Sequence, residues 1–518
     1  MRSLYNIVYR LLLICALSFT PILLHAATYY VDVSVANNDA GNGSQASPKQ
    51  YISSGIALMS SSGGDTLIIA PGTYSDPNDA INSVVNGKPG AYNVIKAQTD
   101  GTVTINRNLA LTRVGASQAQ YVQFEGLKWR SKTNKAIIGH HIKILRCAFE
   151  GGPASGNTSN FSIGTNNQTP GSRDILIEDT QFYGAGGRYE LLVFNSDSIV
   201  LRRIVVRHDL GWCFVANANP CTGNGPPEAG LSVYSSKNIQ VQNFLIIDSN
   251  QQYFYWEAAF YIINNTNNLD NDNTVVEGSL SINNLGVSYK YDGSKAVTNS
   301  VIRNSVSYGG NYFAIGLGAQ AGSDSTLKNL TIIGNSGHGI QVGYSSSTFN
   351  LTNSVLVGNG GRGINYDASG SPTNWSESYN NCSNNTVNGC PGTGDTGYDA
   401  YTNGLLYPIR IESGSTLDTA GASGSTVGAN ITNRLGVSGT LYGETGYATE
   451  TSQSLWPWPQ ETRIKNDMCN EINTGVADRG WCATNLSLTD YIWGLLNNPL
   501  PGGLSPMPTP GNIRSTKN

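Results

Sequence analysis

The chain repeats itself. Leu327, Asn329, Gly334, Asn335, Gly337, Gly339 and Ile340 recur as Leu351, Asn353, Gly358, Asn359, Gly361, Gly363 and Ile364, an offset of 24 residues. Val275–Ile282 matches Val301–Tyr308 at an offset of 26, and Ile175–Ile177 precedes Ile199–Leu201 by 24. Ile239–Val241 follows 40 residues after Ile199–Leu201, and similar runs stand at Val122–Phe124 and Ile142–Ile144. Each unit is a short alternating strand, an Asn or Gly turn and a second short strand. Strands this short are not stable alone. Stacked at about 4.8 Å they pair edge to edge and place one apolar column on the next. The pattern therefore predicts an all-β parallel solenoid, with Asn tolerating left-handed turn angles and stacking from coil to coil. A β-sandwich or a propeller is the alternative. A propeller blade takes about 40 residues and four strands, which a step of 24 to 26 does not suit.

Composition excludes the main rivals. Only 13% of the 518 residues are charged, too few for coiled coils or exposed helical arrays, while 39% are hydrophobic, enough to build a core. The net charge of −4 gives no general pull on nucleic acid or anionic lipid, so the reading expects no nucleic-acid partner. Residues 1–27 read as a secretory signal: Arg2 and Arg10 precede an apolar run from Leu11 to Leu24, and Ala26-Ala27 offers a cleavage zone. No later run is apolar enough to span a membrane, so the chain is expected outside the cytoplasm, secreted or periplasmic, as a monomer. Six cysteines form three local couples, Cys213 with Cys221, Cys382 with Cys390 and Cys469 with Cys482, plausible disulfides in an oxidising compartment. Cys147 is left as a buried structural thiol.

Three segments at the start of the mature chain, Thr28–Asp32, Asn42–Pro48 and Gly64–Tyr74, resemble the opening of the secreted right-handed parallel β-helix (pectate-lyase-like) proteins, a group with pectate lyases, alginate lyases and mannuronan epimerases. The resemblance covers about residues 28–390 and implies a right-handed single-stranded parallel β-helix; it names no substrate. A short helix between Ser53 and Met59 is expected to cap the N-terminal end. Residues 391–518 read as an irregular wrapping or cap region. It is expected to bury Trp456, Trp458 and Trp493, to hold one short helix behind a Ser487–Asp490 capping pattern, and to end in a loose tail; a separate binding module is the alternative.

Chemistry is expected where the repeat is stretched. The step of 40 between Ile199 and Ile239, then about 36 to Val275, implies two enlarged turns walling a groove. These turns hold Trp212, Tyr253, Tyr255 and Trp256, which together with Tyr289 and Tyr291 suit stacking on sugar rings, or else form a small core under the loop. The same coils hold Arg202, Arg203, Arg207, His208, Asp209, Asp248, Glu257, Lys290 and Asp292, and the repeat register sets His208 over Asp248 over Asn284. Cleavage or epimerisation of a uronic-acid glycan needs a cation beside the carboxylate and a base for the C5 proton. Lys290, set between two tyrosines, is the candidate base, Arg203 and Arg207 are candidate carboxylate clamps, and His208 is a second base or acid; Glu257 completes the candidate set. Asp270 and Asp272 lie on an oxygen-rich turn that suits Ca²⁺ if any metal is used; otherwise no cofactor is expected. His338 reads as an exposed repeat position. The paired-Asp signatures of polygalacturonases and the Asp-Pro-His run of mannuronan epimerases are missing. The sequence therefore leaves two functions open: a lyase or epimerase of an acidic extracellular polysaccharide, or a non-catalytic glycan-binding or surface protein.

Overall fold

Each repeat pairs in parallel with the next. In the computed structural model, Leu327 stands beside Leu351, Val275 beside Val301, Ile175 beside Ile199, and Ile199 beside Ile239. The 40-residue step thus preserves the apolar column, its extra length falling between strands Val205–Arg207 and Ala229–Tyr234. The next step is 35 residues, Gln240 pairing with Val275. The structure describes residues 26–36, 38–153, 156–165, 169–208, 228–249, 258–265, 269–318, 322–343, 347–366, 374–470 and 479–501.

A coil passes through three sheets in turn. The first has thirteen described strands, from Thr28–Val31 to Trp375–Ser378; the second has twelve, from Gly72–Tyr74 to Asn381–Ser383; the third has ten, from Ala110–Leu111 to Ile364–Tyr366. Within each sheet neighbours follow chain order, so the three faces wind as a right-handed parallel β-helix. The corner from first to second sheet is made by one left-handed residue per coil. Arg146, Asp179, Arg203, Asn243, Asn304, Asn329 and Asn353 all have φ between 46° and 53°. Asn is favoured there because its short amide can bond locally in that conformation. Inside, Asn335 donates to Asn359 Oδ1 (3.0 Å) and Asn359 to Asn385 Oδ1 (2.8 Å), the expected coil-to-coil ladder. Trp129, Phe149 and Phe182 stack at 5.0 Å spacings in the core.

Both the N-terminal end and one flank are covered. Helix Ile52–Ala57 lies over the first coil, where Gly55 approaches so closely that a Cβ would sit 2.4 Å from Val31 Cγ2. The C-terminal region runs back along the first-to-second corner, its residue numbers rising as the coils descend. Asn329 donates to Thr426 O (2.8 Å), Asn304 to Asn430 O (3.0 Å), Arg202 to Val437 O (2.7 Å), and Leu435 N donates to Asn243 Oδ1 (2.7 Å). The corner Asn amides, already turned outward, thus serve the strap backbone as partners. Beyond the strap, Trp456, Trp458, Trp481 and Trp493 bury themselves on the outer face of the second sheet against Val205, Leu245, Ile247, Leu280 and Ile282. Helix Leu488–Trp493 begins as expected, Ser487 Oγ accepting from Asp490 N at 3.0 Å. Disulfides join Cys382 to Cys390 and Cys469 to Cys482, and Cys147 is buried and free. Among the described residues no helix is long and apolar enough to cross a membrane.

Candidate functional site

With the second sheet covered and a strap on one corner of the first, the third sheet is the face onto which both enlarged turns lead. They join the second sheet to Ala229–Tyr234 and to Ala258–Asn264, neighbours in the third. Trp212, Tyr253, Tyr255, Trp256, Glu257, Cys213 and Cys221 belong to these turns and lie outside the described residues.

On the next strand, Val287–Gly293, side chains alternate between interior and exterior. Tyr289 and Tyr291 point inward. Tyr289 stacks on Phe260 at 4.8 Å and donates to Val306 O at 2.9 Å; Tyr291 is enclosed in the core. This corrects the expectation that the two tyrosines flank Lys290 and bind substrate: residues one apart on a strand face opposite ways. Lys290 and Asp292 share the outer face, Lys290 Nζ lying 2.8 Å from Asp292 Oδ2. Tyr261 sits beside Lys290 one coil earlier, donates its hydroxyl proton to Asp292 Oδ2 at 3.0 Å, and presents its ring 5.1 Å from Lys290 Nζ. Burial, reinforced by the Asp292 charge, pushes the Tyr261 phenol far above its ordinary range, so it remains a proton donor. Asp292 thus bridges an ammonium and a phenol.

Around this triad the face is aromatic and polar. Arg188 is ion-paired with Glu228 and lies 5.4 Å over the Tyr189 ring. Tyr234 OH accepts from Asn265 Nδ2 at 2.6 Å. Beyond Lys290 the same column continues as Gly316, Gln341 and Asn365, and Asn365 donates to Gln341 Oε1 at 2.8 Å. At Gly316 a Cβ would stand 2.7 Å from Phe313, which bounds the column on one side.

The other candidates are not gathered here. Arg203 occupies the first-to-second corner, bonded to Asp179 Oδ1 (2.7 Å) and Ser438 Oγ (3.1 Å) under the strap. Arg207 ends a strand of the second sheet beneath the C-terminal region, contacting Cys482 Sγ and Arg479 O. His208 is enclosed at the next corner, its ring Nε2 2.9 Å from Gly187 O. Three consecutive features of one coil therefore lie along different sides, because repeat register fixes height along the stack but not the side of the coil. His208 does not stand over an Asp248–Asn284 column either: its amide bonds Ser249 Oγ, whose own residue bonds Asn284. Asp270 is paired with the Lys295 ammonium at 3.0 Å, and Asp272 accepts from Thr298 and Asn299, so their oxygens are directed at separate partners. Glu377, Cys390 and Asp395 also approach one another, but Cys390 is held in its disulfide. A depression of 420 Å³ by the cap, lined by Ser53, Ile56, Pro77, Asn82 and Val84, has no ionisable lining.

Burial pushes the His208 imidazole down to about 4 from 6.5. The unfolded chain takes up this proton near pH 6.5 while the folded chain refuses it until about pH 4, so stability is lost as pH falls through that window. The expected loss is about 3 kcal/mol, read from urea midpoints. His208→Gln, which keeps a donor for Gly187 O, should remove this component; an unchanged pH slope would show that His208 is not the group responsible.

No protein-family model and no curated protein matches this chain. Solved structures it is similar to include the pectate lyase Pel9A (14% identity, 78% of this chain and 95% of that one, TM-score 0.36) and the periplasmic alginate epimerase AlgG (12%, 67% and 82%, 0.35). A rhamnogalacturonan lyase is similar at 13% identity, covering 71% and 89%, with a TM-score of 0.35. At values this low the likeness has no bearing on chemistry. The fold rests on the strand ladder.

Proposed function

We propose that the protein is an exported glycan-active enzyme whose reaction starts by removing the C5 proton of a uronic-acid residue, on the outer face of the third sheet. The observation behind this reading is the Lys290–Asp292–Tyr261 cluster, a cation, a carboxylate and a protonated phenol within hydrogen-bond reach of one oxygen. Lys290, whose ammonium pairs with Asp292, neutralises the sugar carboxylate and so makes the C5 proton removable. Asp292 takes that proton. In elimination, the C5 electron pair forms the C4–C5 double bond, the C4–O4 bond breaks, and the leaving oxygen takes the Tyr261 proton. The proton on Asp292 then returns to Tyr261 along their hydrogen bond, restoring both groups. Epimerisation uses the same first step and returns a proton to C5 from the opposite face. Lys290 thus acts as the cation in this scheme, and Asp292 replaces it as the base.

Two tyrosine variants test the assignment. Tyr261→Phe keeps the ring and removes the proton donor, and should lower turnover by about 10²-fold with little change in stability. Tyr289→Phe loses an interior hydroxyl bond and should cost about 1 kcal/mol in urea denaturation with turnover retained. The reverse pattern would place the chemistry elsewhere. Substrate binding without product in the native protein would favour a non-catalytic glycan-binding role.

A further inference from the structure

From strand Tyr189–Phe194 to its last strand, Ile364–Tyr366, the third sheet has few cations for a polyanion. Between Arg188 and Tyr366 the sequence holds ten Lys and Arg residues. Arg202, Arg203 and Arg207 are enclosed under the C-terminal region. Lys237 and Arg303 pair with Asp197 and Glu277 along the first sheet, where Lys328 also ends a strand. Lys295 pairs with Asp270 on the turn back to the first sheet. That leaves Arg188, Lys290 and Arg362 on the side of the third sheet, and Glu228 and Asp292 already face the first two. The column past Lys290, Gly316 then Gln341 then Asn365, is uncharged. The enlarged turns add none, since residues 209–227 and 250–257 contain no Lys or Arg.

A glycan with a carboxylate on every sugar would lay a row of negative charges along this stack. Each would lose solvation against a face of nearly balanced charge, and only one would meet a cation built into the column. Neutral sugars suit the rest of the face, their hydroxyls meeting the half-buried amides of Gln341 and Asn365. We infer that the ligand is a heteroglycan whose uronates are separated by neutral sugars, with a single uronate seated at Lys290 and neutral sugars over Gly316, Gln341 and Asn365. This rests on the assignment of the third sheet as the active face and adds the charge spacing of its substrate.

The test compares gellan, whose uronates are separated by neutral sugars, with polygalacturonate and alginate, whose sugars are all uronates. Binding is followed by gel retardation and elimination by the absorbance of unsaturated product, at low and moderate salt. Gellan is expected to be bound and cleaved, and the polyuronates to be retarded at least 10-fold more weakly. Gln341→Lys, which adds a cation to the neutral column, should strengthen polyuronate binding by up to about 5-fold at low salt and leave gellan unimproved. Polyuronates processed as well as gellan, with the loss of product in Lys290→Met, would overturn the spacing inference while leaving the active face in place. Product formation unaffected by Lys290→Met, or no response to any of the three polymers, would overturn both.

Discussion

Replacing Glu178 with alanine should destabilise the fold by roughly 3–5 kcal/mol and open the C-terminal strap to protease. The Glu178 carboxylate lies between two fully enclosed guanidiniums, 2.9 Å from Arg202 Nη1 and 2.5 Å from Arg203 Nη2, and accepts the Gly439 amide at 3.0 Å. Burial alone would raise its pKa, but Arg203 and Arg202 outweigh that and hold it below the usual carboxylate range. Without it, Arg202 retains only neutral acceptors in Gln242, Val437, Thr440 and Tyr447, and two buried positive charges share Asp179. The remaining repulsion falls on the chain between Gly436 and Tyr447, which these arginines fasten to the corner. Limited proteolysis should cut there first, ahead of any coil. Glu178→Gln, which keeps the size and one acceptor, should fall between the variant and the native protein. A native urea midpoint for Glu178→Ala would mean that the strap is held by its apolar contacts instead.

Lys290→Met should lower turnover by about 10²–10³-fold while costing only about 1–2 kcal/mol of stability. The substitution keeps the aliphatic stem that lies by Tyr261 and removes the charge that offsets the substrate carboxylate. Asp292 keeps the Tyr261 hydroxyl and the Gly293 amide as donors, which limits the structural penalty. Lys290→Arg should recover part of the rate, since charge is preserved and only its reach is altered. Stability lost in step with activity would mark Lys290 as a structural ion pair and nothing more.

The stacking was legible because it depends on a period. Ile175, Ile199 and Ile239 had to fall in one column for their side chains to be buried, whatever length intervened, and they do. The Asn-rich corners were legible for the same reason, since few residues adopt that backbone angle. The site was harder to read. Lys290 stood out as the candidate base, but its adjacency in sequence to Tyr289 and Tyr291 is not adjacency on a face. Asp292, two residues on, was the neighbour that strand alternation selects. Tyr261 could have been found only by counting back one coil across a step of 29 residues, longer than the 24 to 26 that the sequence repeat displays. Arg203, Arg207 and His208 were misplaced because a triangular coil bends between them.

The most direct measurement is hydrogen exchange followed by mass spectrometry, with and without the uronate-bearing oligosaccharide that yields product. Slowed exchange should concentrate in Ala229–Tyr234, Ala258–Asn264 and Val287–Gly293 and extend toward Ile340–Val342, with the first sheet and the C-terminal region unchanged. Protection confined to the first sheet, or to the tryptophan-rich flank, would contradict the assignment of the third sheet as the active face.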